Sequence, residues 1–348
     1  MKPYSELTRL GRMHRMHELA KAALIDYGMG DADIKLVLQA GNTLYRVYDR
    51  HSINQEIDND LFEPGQYLLR IYQTGWQTDD AIELELNWMA GMRSEMDLPV
   101  PEPIHRLDGG YLTHVSVPGI PTPRVCALTR WVKGRLLGND GRPEHYKAQG
   151  RLMAKMHNFS QQWTLPSGAT KRHYDWNGLF VNDAEINLQP GESWNYLPKD
   201  WVKPFRTVTD QFQQLIEEWG FGREVYGLIH ADMGLDANVL FHKGKPRLID
   251  FDGSGFGYWI YDLAVAVMHC LGKEYYASYK DALLAGYTEF RTISQSQLDK
   301  FDLFTAAFNV YFSLWYIGGT HFHPEYCEDL FERMMNRGVE FIKDFTDR

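Results

Sequence analysis

Apolar residues recur at helical spacing over residues 9–27 and the run stops at Gly28, which predicts an amphipathic helix at the start of the chain. Shorter β-like runs follow at 35–39, 44–48 and 67–72. The last two are separated by a polar, Asn- and Asp-rich stretch that suits a hairpin loop. Ile82, Leu86 and Met89 share one face of a helix predicted over 78–93, and Pro99, Pro101 and Pro103 bar its continuation. Two further strands are predicted at 111–117 and 125–131.

From about Lys133 the pattern lengthens. Helical periodicity predicts helices over 144–162, 203–219, 258–271, 275–287 and 297–316, with two short apolar strands, 239–241 and 247–251, among them. Sheet first and mostly helix after, with a hinge near residues 131–134, describes an α+β chain of two lobes sharing a cleft. We place the first lobe, expected to bind nucleotide, at 1–131. The second, catalytic and substrate-binding, is placed at 132–348.

Composition narrows the picture. The 348 residues are 44% hydrophobic and carry a formal charge of −10, without a compact basic run. Nucleic acid and anionic membranes are therefore not expected partners. Cys126, Cys270 and Cys327 are scattered, with no C-x-x-C pair, so reduced thiols fit better than disulfides or structural zinc. The N-terminus lacks an apolar h-region, and the most apolar stretch, 259–271, is too short to cross a bilayer and contains Asp262. A cytoplasmic location is expected. Oligomeric state is not readable here.

The chemistry concentrates at 228–252, where an apolar run leads into His230, Asp232 and Asn238, then a strand, a turn at Gly244, and a second strand reaching Asp250. Such a hairpin brings Asp232, Asn238 and Asp250 to one spot. One carboxylate and one amide oxygen suit Mg²⁺, which prefers hard oxygen ligands and keeps room for phosphate and water. A separate carboxylate, Asp232, suits the orientation of an attacking hydroxyl and acceptance of its proton. That equipment is what phosphoryl transfer from ATP requires.

This segment resembles the catalytic and metal-binding loops of the aminoglycoside phosphotransferase and choline kinase-like family, distant relatives of protein kinases. The shared pattern is His-x-Asp, then Asn, then a strand ending in Asp. The run from Gly255 to Ala264 is similar to that family's segment closing on Asp-Leu-Ala. The resemblance implies a two-lobed protein-kinase-like fold and a kinase that moves the γ-phosphoryl group of ATP to a hydroxyl of a small molecule. It implies Arg70 on the third strand as the phosphate-holding residue and Glu85 as its helix partner, with Glu83 the competitor. Gly41, Asn42 and Thr43 stand where a phosphate-covering loop belongs, and Arg130, Trp131 and Val132 at the hinge.

Two departures stand out: Asn238 lies six positions after Asp232 where protein kinases use five, and Arg70 replaces a lysine. The extra residue is expected to bulge the loop near Gly234, with Asp236 available to share the metal. His230 reads as scaffolding, Asp252 as a solvent-facing or capping residue, and Asp262 as the anchor of the loop backbone. His321 and His323 read as ordinary surface histidines, and Tyr311, Trp315 and Tyr316 as core before pocket. Acidic and aromatic character nominates Asp175, Trp176 and Trp315 for an aminoglycoside, choline-like or amino-alcohol substrate. The competing functions are an atypical protein Ser/Thr kinase, for which the 250–262 interval leaves little docking segment, and a non-catalytic nucleotide-binding regulator.

Overall fold

The computed structural model describes residues 2–182, 188–322 and 329–348. His323 and Cys327 lie outside the described residues, as does the side chain of His321. The chain divides into two compact units. The first is Met1–Gly134 with Pro166–Thr170, and the second is Arg135–Leu165 with Lys171–Arg348.

In the first unit, α1 (Arg9–Ile25) precedes β1 (Asp33–Ala40), β2 (Asn42–Tyr48) and β3 (Phe62–Ile71). Then come α2 (Asp79–Met96), β4 (Thr113–Val115) and β5 (Arg124–Val132). The five strands form an antiparallel sheet in the order β1-β2-β3-β5-β4. Strand alternation sends Tyr45, Val47, Tyr67, Leu69, Ile71, Cys126 and Leu128 to one face, where they pack with Met16, Leu19, Ala20, Ala23 and Leu24 of α1. Thr78 caps α2 through the Ala81 amide.

The second unit opens with α3 (Pro143–Gln162), α4 (Trp176–Phe180) and α5 (Lys199–Trp219). Four strands follow, β6 (Tyr226–Ile229), β7 (Val239–His242), β8 (Lys245–Leu248) and β9 (Gly255–Tyr258). The rest is α6 (Trp259–Ala266), α7 (Tyr276–Tyr287), α8 (Gln295–Leu298), α9 (Phe301–Phe322) and α10 (Asp329–Thr346). β6 pairs with β9 and β7 with β8, both antiparallel. α3 and α7 cross closely because both carry glycine at the contact. A Cβ on Gly150 would stand 2.0 Å from the Leu283 carbonyl oxygen, and one on Gly286 1.9 Å from that of Lys147.

Several elements differ from expectation. The strand predicted to reach residue 251 ends at Leu248, because Asp250 turns to φ 65°. The helix predicted over 258–271 stops at Ala266 and gives way to a short turn at Met268–Cys270. β9 is built from Gly-Phe-Gly-Tyr, a composition with little strand propensity, and forms through pairing with β6, whose Ile229 side chain would meet any Cβ on Gly257 at 2.3 Å. α10 was not predicted. It buries Met335, Val339 and Ile342 at helical spacing. No helix among the described residues is long and apolar enough to cross a membrane.

Candidate active site

The second unit fixes its acidic loop from one buried carboxylate. Asp262, in the first turn of α6 and fully buried, accepts hydrogen bonds from the amides of His230 (3.2 Å) and Ala231 (2.7 Å). It also accepts from Nε2 of His157 on α3, at 2.9 Å. His157 Nδ1 lies 2.8 Å from the Tyr287 hydroxyl. Neutral histidine satisfies both contacts, with Nε2–H donating to Asp262 and Nδ1 accepting from Tyr287. Burial holds His157 below its ordinary pKa, against the pull of Asp262. Aiming two successive amides at Asp262 puts Ala231 at φ 63°, a left-handed conformation that costs a non-glycine residue roughly 1–3 kcal/mol and persists because the surrounding bonds over-determine it. Asp262 is the anchor expected from the sequence.

From that anchor the loop presents Asp232. Asn238 Nδ2 donates to the Asp232 backbone oxygen (2.9 Å) and to its Oδ2 (2.8 Å), which leaves the amide oxygen of Asn238 for another partner. The Asn238 carbonyl accepts from the Ile249 amide at 3.0 Å, and His230 Nε2 contacts the Ile249 oxygen at 3.0 Å. His230 thus ties the loop to the approach to Asp250, as scaffolding. The additional residue is taken up in a turn, where Gly234 O accepts from the amides of both Ala237 and Asn238. Asp236 Oδ1 lies 3.5 Å from Nδ1 of His269, and its charge adds to the push of Asp250 and Asp252 on Asp232.

Asp232 keeps an exposed face in dense surroundings. Burial, then the charges of Asp250 and Asp252, push its carboxyl up to about 8, and the Asn238 bond partly opposes them. Solvent on the exposed face softens the burial part. The crowding by two carboxylates remains. Asp252, half-buried, is near enough for its charge to be felt. Asp250 itself sits at φ 65°, a second strained non-glycine position. The carboxylate of Asp250 and the spare amide oxygen of Asn238 are hard-oxygen donors of the kind a divalent cation takes. Among the described residues no group of three or more His, Cys, Asp or Glu side chains could hold a metal unaided, so remaining ligands would come from phosphate and water.

In the first unit, strand parity sorts the nominated residues. Arg70 pairs across from Leu44 and Ala127, on the face opposite Tyr67 and Leu69. That face also carries Trp131, over which Arg46 stacks at 4.1 Å. Arg130 lies on the other face, bonded to Glu102 (2.6 Å) and stacked over Tyr67, so its side chain is not brought to Arg70. Val132 pairs with Phe62. Arg70 is 8% exposed and Glu85 2%, whereas Glu83 is exposed. Helix phase therefore favours Glu85. Gly41, at φ 70°, makes the β1–β2 turn. Asn42 is spent bracing that turn, its Oδ1 accepting from the Gln73 amide at 2.9 Å, and Thr43 is buried.

Asp175 caps α4 through the Gly178 amide at 2.8 Å. With Trp176, Asp210, Glu217 and Phe221 it lines a groove of about 850 Å³. Trp315 packs on Phe312 and Phe331, at ring distances of 5.8 and 6.0 Å. Tyr311, one turn earlier, feels the Asp232 charge, as does Tyr174. Sequence reasoning missed Arg172 here and read Tyr311 as core before pocket. Tyr311 lies far from Arg172 in sequence, and a tyrosine at helical spacing carries no local sign of an electrostatic neighbour.

Residues 54–296 match the model of the Phosphotransferase enzyme family (APH). The chain belongs to this family. A homoserine kinase of Sinorhizobium fredii is 26% identical over 243 residues, covering 69% of this chain and 68% of that protein. Among solved structures, a microcompartment-associated aminopropanol kinase superposes with a TM-score of 0.71 at 24% identity, covering 94% of this chain and 95% of that one. An amicoumacin kinase in complex with AMP-PNP, Ca²⁺ and Ami gives 0.74 at 18% identity, with 97% of each covered. The protein-kinase-like fold expected from the sequence is thereby shown. As a phosphotransferase of this family, the chain is an ATP-dependent kinase acting on a hydroxyl of a small molecule.

Proposed function

We propose that this kinase transfers the γ-phosphoryl group of Mg·ATP to a hydroxyl of an amino-alcohol-class metabolite in the cytoplasm, with no nucleic-acid partner. Asp232 orients the hydroxyl and takes its proton as the bond to phosphorus forms. Asn238, through its amide oxygen, and Asp250 would hold Mg²⁺, which supplies charge neutralisation at the phosphates when bound. In the first unit, residues 1–131 would bind the nucleotide. Arg70, steadied by Glu85, is assigned to the phosphate oxygens, where a guanidinium forms bidentate bonds. The Gly41–Asn42–Thr43 turn contributes backbone amides, and the backbone of Arg130, Trp131 and Val132 borders the base. Residues 132–348 would hold the acceptor.

The observation carrying this reading is the Asn238-bonded Asp232 carboxylate, exposed on one side and crowded by Asp250 and Asp252. The amino-alcohol class is supported by the homoserine and aminopropanol kinases among its relatives. The test is ADP release across a panel of small alcohols. Asp232→Asn should lower acceptor-dependent turnover by about 10²–10⁴, the range for losing a positioned base, with nucleotide affinity within a few-fold. Undiminished turnover would remove Asp232 from the mechanism.

A further inference from the structure

We propose that Arg172 receives a carboxylate of the acceptor, so that the phosphorylated molecule is a hydroxy acid, most simply a hydroxylated amino acid, and not a purely cationic amino-alcohol. This rests on the reading above that Asp232 orients the acceptor's hydroxyl.

The segment carrying Arg172 runs beside β9. Its carbonyl accepts from the Phe256 amide at 2.9 Å, and the Tyr174 amide donates to Phe256 O at 2.7 Å. Close approach there depends on glycine. A Cβ on Gly255 would stand 2.7 Å from Arg172 Cγ and 3.0 Å from the Tyr174 ring. The guanidinium lies over two rings, 4.4 Å from the centroid of Tyr174 and 5.6 Å from that of Tyr311. Tyr311 also hydrogen-bonds it. A planar, weakly hydrated cation held between aromatic faces keeps its fork rigid, which suits a planar carboxylate.

Tyr174 links this cation to Asp232. Its ring carries the guanidinium, and its hydroxyl donates to Gly253 O. At Gly253 a Cβ would stand 3.8 Å from Asp232 Cβ and 4.0 Å from the Tyr174 hydroxyl oxygen. Arg172 and Asp232 are therefore separated by little more than one tyrosine side chain, about the span of a short hydroxy acid. Tyr174 and Tyr311 register both groups, since the Arg172 charge pulls each hydroxyl's pKa down while Asp232 pushes it up. One guanidinium matches one negative charge, so a monoanion suits Arg172 better than the two charges of a phosphate group. An acceptor bearing only an ammonium would meet a cation at Arg172.

The test compares acceptors that differ only by the carboxylate: L-homoserine with 3-aminopropan-1-ol, L-threonine with 1-aminopropan-2-ol, and L-serine with ethanolamine. Each is titrated by calorimetry into the full chain loaded with Mg²⁺ and a non-hydrolysable ATP analogue. The carboxylated member of at least one pair should bind tighter by at least about tenfold. Arg172→Met should erase that preference, Arg172→Lys should keep part of it, and Tyr311→Phe should weaken it a few-fold. Undiminished analogue binding by each variant verifies the fold. Equal binding within every pair, a preference for the uncarboxylated members, no binding by any of the six, or a preference that survives in Arg172→Met overturns the proposal. The two readings fail separately. Amino-alcohol turnover that ignores Arg172 sinks this inference alone, whereas full turnover by Asp232→Asn sinks the base assignment and leaves carboxylate binding standing.

Discussion

The acidic loop of the second unit and the basic strand of the first fix a charged side chain in opposite ways. Asp232 is held through its own backbone, since the two amides before it end on Asp262 and its carbonyl and carboxylate both bond Asn238. All of this happens within residues 230–262. Arg70 owes its direction to strand parity and lies 5.8 Å from the centroid of the Tyr72 ring, and Glu85 owes its burial to helix phase. A hydrogen-bonded loop concentrates its dependence on one anchor. A sheet face spreads it over many packing residues.

The sharpest way to break that contrast is Asp262→Ala. The change strands two backbone amides and His157 Nε2–H in a fully buried setting. Each unsatisfied donor costs about 1–3 kcal/mol. Urea unfolding should show a loss of roughly 3–5 kcal/mol, the range for removing one partner from a buried charged network. A loss below about 1 kcal/mol would mean the loop is held by something other than this carboxylate.

Legibility follows the same division. The acidic segment could be read because every member of the hydrogen-bonded set, except His157 and Tyr287, lies within one short stretch whose residue types announce the chemistry. Arg70 is read from a family resemblance and not from a bracing motif, and only the strand register separates the side chain of Arg130, which meets Glu102 and Tyr67, from that of Trp131 on the opposite face. The effect of the Asp252 charge on Asp232 was not legible, because the two are twenty residues apart and come close only after β7 and β8 fold back. The meeting of Arg172 with Tyr311 was not legible, because the segment carrying Arg172 is seated against glycines of β9 whose sequence does not look like a strand.

The basic strand should respond differently. Arg70→Met is expected to weaken nucleotide binding by about 10–100-fold, the loss of a charge-assisted bidentate contact, with acceptor affinity little changed. Glu85→Gln should weaken it less, and the double variant should fall short of the sum, because the two act as a unit. Fluorescent-nucleotide titration measures all three. Strict additivity would separate Glu85 from Arg70.

A gentler probe of the loop's anchor is pH. His157 is held below its ordinary pKa of about 6.5, so the unfolded chain takes up a proton that the folded protein resists. Its contribution is fully present above about pH 6.5 and is lost as pH falls toward the lower folded-state value. Unfolding free energy should therefore decline below about pH 6.5, and His157→Gln should flatten that limb while lowering stability at pH 8. A limb of unchanged slope in the variant would assign it to other groups.

The smallest effect is expected at Trp315, and its smallness is informative. Trp315 and Tyr311 share α9 one turn apart, yet Trp315 stacks on Phe312 and Phe331 while Tyr311 meets Arg172. Trp315→Leu keeps an apolar side chain in a partly buried position, so about 1–2 kcal/mol of stability should go, mainly from lost ring contacts. Acceptor KM should move less than about twofold, because the ring is taken up by Phe312 and Phe331. Tyr311→Phe inverts the profile, with little change in stability and a larger rise in acceptor KM. If steady-state kinetics instead put the larger KM effect on Trp315, the acceptor would lie along the α9–α10 aromatic face, and the difference in how the two units position their charges would not extend to the substrate.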